Sequence, residues 1–162
     1  MSKRASMTVA IAVLLSASFS TFAADIQGES ITVARSGSQP SVPGGMQRFS
    51  GSVRIDPLFQ SAAPSRLSGG LVTFEPGART AWHTHPLGQT LLITSGRGWI
   101  QQWGHEKQEV VAGEVVSIPP GVKHWHGATS TTGMTHVALQ EALDSKNVNW
   151  LEQVTDEQYR QP

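Results

Sequence analysis

The stretch from Gly77 to Gly96, GARTAWHTHPLGQTLLITSG, constrains the fold more than any other part of the chain. It sets His83 and His85 two residues apart, places Gln89 four residues after the second histidine, and carries a glycine at each end. On a β-strand, side chains at even separations share a face. His83 and His85 therefore look the same way, and the Pro86-Leu87-Gly88 turn can return Gln89 to that side. The simplest physical reading is half of a metal site carried on a bent β-ribbon.

The surrounding chain has a matching texture. Ser52–Ile55, closed by Asp56-Pro57, and Leu71–Glu75, closed by Pro76-Gly77, are strand candidates. Ala81–His85, Gln89–Thr94, Trp99–Trp103, Glu109–Val111, Val115–Ile118, His124–Gly127 and Met134–Gln140 follow, with Ser95-Gly96 and Pro119-Pro120-Gly121 the clearest turns between them. Short strands at this spacing, in 162 residues with 16 Gly, 9 Pro and 5 Trp, predict one all-β domain, a sandwich or a small barrel. Near the end, Thr155 with Gln158 three residues on has the form of a capping box, so one short helix is expected over Asp156–Arg160.

Residues 1–23 read as a signal peptide: Lys3 and Arg4 precede an apolar and small-residue run, Met7 to Phe22, and Thr21-Phe22-Ala23 suits the peptidase. The run is short and Ser-rich for a membrane span. An exported protein, periplasmic or secreted, is expected. Residues 24–48, rich in Ser, Gly and Pro, form a flexible lead-in with Ile31–Ala34 as its candidate edge strand, and 49–162 form the single domain. Loss of Lys3 and Arg4 leaves 10 basic against 12 acidic residues, about −2 in all, and no basic block is interleaved with aromatics, so nucleic acid is not an expected partner. The absence of cysteine removes disulfides and thiolate ligands, so a metal must be held by nitrogen and oxygen.

Five of the six histidines sit at even spacings on three strand candidates: His83 and His85, His124 and His126, and His136, which shares its face with Ala138 and Gln140. A lone strand histidine is more often a packed or surface residue than a ligand. His105, beside Gly104, Glu106 and Lys107 in a hairpin tip, is read that way. Trp82 and Trp125 have the opposite parity and are expected between the sheets' outer faces or at a subunit contact, with Trp99 and Trp103 in core or interface. Arg79 is expected to pair with Glu75 across the turn, and Lys123 to be a solvated charge near the barrel mouth.

The pattern Gly77-x5-His83-x-His85-x3-Gln89-x6-Gly96 resembles the first cupin motif, and Gly113-x5-Pro119-x-Gly121-x2-His124 resembles the second, with sixteen residues, Arg97 to Ala112, between them. The resemblance implies a cupin fold, a small β-barrel or jelly roll with a short C-terminal helix. It narrows over RIDPLFQ, TFEPGARTAWHTHPLGQTL, PPGVKHWHGA, MTH and the tail from Trp150, which are similar to the small bacterial manganese-dependent cupin hydroxynitrile lyases. That resemblance implies reversible cleavage of a cyanohydrin to a carbonyl compound and cyanide, with the metal on His83, His85, Gln89 and His124. It further implies His136, His126 and Gln140 as catalytic residues, and a dimer or tetramer. Gly70, Val72 and Leu91 have the parity of substrate-pocket walls.

Two positions depart from the commoner cupin pattern: Gln89 replaces a glutamate, and Ala128 stands where the second motif often ends in Asn. With neutral ligands a divalent ion keeps its full charge, which makes it a stronger Lewis acid. Mn(II) is the preferred ion, with Fe(II) or Zn(II) as alternatives, since affinity order alone does not choose among them. Two other functions fit the same ligands: a metal-dependent dioxygenase or oxidase, and a non-enzymatic ligand-binding cupin of the cell envelope.

Overall fold

Two antiparallel sheets share one long bent strand. The computed structural model describes residues 30–161, so the expected signal peptide lies outside the described residues. The first sheet runs in the order β1 (Val42–Pro43), β3 (Val53–Gln60), β4 (Leu67–Phe74), β11 (Met134–Glu141), β7 (Gln89–Gln102) and β9 (Val115–Ile118). The second runs from β8 (Gln108–Val111) through the far half of β7 to β10 (His124–Ala128). It continues onto β5 (Arg79–Thr80) with β2 (Phe49–Ser50), and onto β6 (His83–Thr84) with β12 (Asn149–Trp150).

The passage from one sheet to the other occurs within β7. Gln89–Gly96 pairs with β11, whereas Gly98–Gln102 pairs with β10. The expected turn at Ser95-Gly96, dividing two strands, is instead a bend inside one strand. Gly96 has φ 74°, and a Cβ there would lie 1.9 Å from the carbonyl oxygen of Gly133, so the close crossing requires glycine.

Other boundaries also differ from expectation. Asp56-Pro57 does not close a strand: β3 continues to Gln60. Pro57 lies beyond the two β1 pairings, Val42 with Ile55 and Pro43 with Arg54, so its missing N–H faces no neighbouring strand on that side. β4 begins at Leu67 rather than Leu71 because β11 pairs with it through Glu141. The strand expected over Ala81–His85 is reduced to β6, with β5 a separate short strand just before it, and Ile31–Ala34 forms no strand; the lead-in pairs at Val42–Pro43 instead.

Inward-facing Phe49, Val72, Phe74, Leu91, Ile93, Ile100, Ile118 and Met134 belong to the main core between the sheets. Each such side chain contributes roughly 1.5–3 kcal/mol on burial. A second cluster, Trp82, Trp125, Val154 and Tyr159, covers the outer face of the second sheet, as the parity of the two tryptophans predicts. Trp99 packs against it half-buried, while Trp103 is exposed with its ring 4.9 Å from Trp82.

The C-terminal segment is strapped over this face. Its helix α1 (Asp156–Arg160) has the expected capping box: Thr155 Oγ1 accepts from Gln158 N–H at 3.1 Å, and Gln158 Oε1 accepts from Thr155 N–H at 3.0 Å. Arg79 does not pair with Glu75. It is buried, donates to the Val154 carbonyl at 2.9 Å and to Asp156 at 2.7 Å, and lies 4.7 Å from the Tyr159 ring centre. The strap offers Arg79 a carbonyl and a carboxylate at shorter distances than the Gly77 carbonyl of the turn, which accepts from it at 3.4 Å. Lys123 is likewise not a free solvated charge, for it bridges to Glu152 and stands 3.4 Å over the Trp103 ring.

Candidate metal centre

Strand β6 carries His83, the chain turns just beyond it at His85, and β10 sets His124 directly opposite His83 in register. The three buried rings each offer a ligand nitrogen within 4.8 Å of the others. Their other nitrogens are fixed. His83 Nδ1 donates to the Ala81 carbonyl at 2.9 Å, His85 Nδ1 to Asn147 at 2.6 Å, and His124 Nδ1 to Val122 at 2.9 Å. A neutral imidazole carries one ring hydrogen, so each ring keeps it on Nδ1 and leaves Nε2 with a bare lone pair. Burial lowers all three pKa values, with neighbouring imidazoles adding to it at His83 and His124; His124 falls to about 4.

Gln89, first residue of β7, completes the group. Its Nε2 donates to Gln140 Oε1 at 3.2 Å, which turns Oε1 towards His124 Nε2 at 3.3 Å. Two acceptors thus face each other, and His85 Nε2 is buried with no partner at all. Bare acceptors converging in a buried place are costly unless a cation joins them. The donor set therefore fits a divalent cation, with nitrogen and amide-oxygen ligands and no thiolate.

Beside it lie the other two strand histidines. His136 Nε2 and His126 Nδ1 are 3.2 Å apart, both rings are buried, and Phe74 packs against each. One hydrogen lies between them, so their far nitrogens, His126 Nε2 and His136 Nδ1, are one donor and one acceptor, neither with a protein partner. Burial holds both rings neutral: His136 falls to about 3, and His126 is lowered further by the imidazoles around it.

A cavity of about 190 Å³ opens on both groups, touching His83, His85, Gln89, His126, His136 and Gln140. Gly70 and Val72 are among the residues that line it. Leu91 is not on the wall: it is 1 % exposed, inside the main core between Ala138 and Val116. Parity tells which side of a sheet a residue faces, but not whether core or cavity waits there. His105 is exposed in the turn after β7, away from the site.

Sequence reasoning did not find Phe49, Asn147, Val148 and Trp150, which form another wall. Trp150 pairs with His83 in register and its ring lies 4.8 Å from that imidazole, 5.6 Å from Phe49. The segment Asn147–Trp150 has too short a strand to carry periodicity; its lone tryptophan is the available signal. Ser68, which accepts from Gln140 Nε2 at 3.0 Å, was missed for the same lack of local pattern.

A family profile described as "Cupin domain" matches residues 70–139. The (R)-mandelonitrile lyase of Granulicella tundricola is 60% identical over 128 residues, 79% of this chain and 98% of that enzyme. A cupin-like protein from Thermotoga maritima superposes with TM-score 0.70 at 38% identity, covering 73% of this chain and 90% of its own. A cupin-2 domain from Rhodospirillum rubrum shares the fold at TM-score 0.61 and 18% identity, covering 78% and 82%. With the motif pair, the three-histidine group and this level of identity, the chain belongs to the cupin family.

Proposed function

We propose that this protein is a metal-dependent hydroxynitrile lyase, reversibly cleaving a cyanohydrin into a carbonyl compound and cyanide. The observation that carries the reading is one cavity lined both by His83, His85 and Gln89 of the metal-ligand group and by the neutral pair His126 and His136. The likeness to (R)-mandelonitrile lyase supports the substrate class. A divalent cation held by His83, His85, Gln89 and His124, for which we propose Mn(II), would supply Lewis acidity towards the substrate oxygen.

The remaining steps belong to the chain. His136 or His126 accepts the hydroxyl proton as the C–C bond breaks. A histidine held at about 3 is a weak base, so this role requires a hydroxyl acidified in the cavity. Gln140 Nε2 donates one hydrogen to Ser68 and keeps a second for the departing cyanide. Val72, Ala138, Val148, Phe49 and Trp150 offer the apolar surface for the carbon skeleton.

The mature protein, loaded with Mn(II), should release benzaldehyde and cyanide from mandelonitrile. Turnover no faster than with free Mn(II) would remove the lyase reading, and substrate-dependent O₂ uptake in its place would favour an oxygenase. The reading includes self-association to a dimer or tetramer, supported by an aliphatic row across the outer face of the first sheet. There Leu71, Val137, Leu92 and Val115 align in register, the last two 36% and 60% exposed. A monomeric mass by light scattering would contradict it.

A further inference from the structure

We propose that Ser68 sets the polarity of a hydrogen-bond chain that aims the oxygen of Gln89, and not its nitrogen, at the metal centre. The inference rests on the metal-centre reading above and assigns Ser68 as a positioning residue. Ser68, Gln140 and Gln89 lie side by side on β4, β11 and β7, paired in register across three strands. Ser68 is buried, 8 % exposed.

A hydroxyl has one hydrogen. Ser68 Oγ donates it to the backbone carbonyl of Gln140 at 3.1 Å, an acceptor that cannot reverse. Towards the Gln140 side chain the hydroxyl therefore presents only lone pairs, and it accepts from Gln140 Nε2 at 3.0 Å, with Asn147 Nδ2 at 3.4 Å. That contact fixes which end of the Gln140 amide faces which way. Its Oε1 turns to Gln89 and accepts from Gln89 Nε2 at 3.2 Å. Gln89 Oε1 is then left facing His124 Nε2 at 3.3 Å.

Each link forces the next. An amide placed the other way round would set two donors or two acceptors against each other, a buried mismatch costing about 1–3 kcal/mol per group. The backbone carbonyl of Gln140 thereby dictates, through three side chains, that an oxygen rather than an N–H meets the cation. Without Ser68 both amides lose their preferred direction, and part of the binding free energy of the ion goes into turning Gln89.

The test is titration of the metal-free mature protein with Mn(II), following the electron paramagnetic resonance signal of the free ion. Ser68→Ala should weaken Mn(II) binding about tenfold, while Ser68→Thr, which keeps the hydroxyl, should stay within about twofold of the unaltered protein. In a Gln89→Ala background the Ser68→Ala change should add nothing, because its effect passes through Gln89. Gln140→Leu, which removes the acceptor from Gln89 Nε2, should reproduce the tenfold loss. Unchanged affinity in Ser68→Ala or in Gln140→Leu would overturn the proposal, as would an undiminished Ser68 effect when Gln89 is absent. If the unaltered protein bound no Mn(II), the metal-centre reading itself would fall, and this inference with it.

Discussion

His136 has a pKa of about 3 because burial removes water from the charged ring, and no carboxylate offsets that loss. In the unfolded chain the same ring titrates near its ordinary value of about 6.5. The unfolded state thus binds more protons between these values, so stability of the metal-free protein is level above about 6.5 and falls as pH drops towards 3. At pH 4.5 this one ring costs about 2–3 kcal/mol. Thermal melts of metal-free protein should show the midpoint dropping steeply from pH 7 to 4.5, and a flat profile would refute the buried neutral state. His136→Ala should lower kcat for cyanohydrin cleavage by about 10²-fold or more with one Mn(II) per chain retained. Near-full activity would deny it a role as base. The five site histidines were legible in the sequence because strand parity puts residues two apart on one face. The direction of the Gln89 amide was not, since it depends on Ser68, a residue brought alongside only by long-range register.

Strand and helix boundaries explain why the other wall of the cavity was hidden. Turn signals at Pro86-Leu87-Gly88 and Pro119-Pro120-Gly121 correctly separated neighbouring strands, yet Ser95-Gly96 marked a bend within β7 rather than an end. A positive-φ glycine reads alike in both settings, and only the approach of Gly133 distinguishes them. The strap from Asn147 to Tyr159 illustrates the limit further: its helix was legible from the capping box, but its path over β6 and β10 was not. That path matters because Asn147 orients His85 and Trp150 packs on His83. Tyr159 fastens the strap, its ring 5.8 Å from Trp125 and its hydroxyl donating to the Ala128 carbonyl at 2.8 Å. Tyr159→Ala should destabilise the protein by about 3 kcal/mol and lower the melting temperature by roughly 10 °C. A shift of a degree or two would mean that the strap is held mainly elsewhere.

For the whole molecule, two sheets and a strap position a buried ligand set that fits a divalent cation, and a cation bound there would add to stability by binding only the folded state. Export is proposed from Lys3, Arg4 and the run Met7–Phe22, and protein recovered from the cell envelope or medium should begin at Ala24. An intact Met1 there would contradict cleavage. The central claim, that one ion on His83, His85, Gln89 and His124 makes this cupin a lyase, is tested most directly by titrating Mn(II) into the metal-free mature protein while following benzaldehyde release from mandelonitrile. The account predicts activity that rises in proportion to added Mn(II), saturates at one equivalent per chain, and is absent in His124→Ala. Activity indifferent to Mn(II), or equal in His124→Ala, would contradict it.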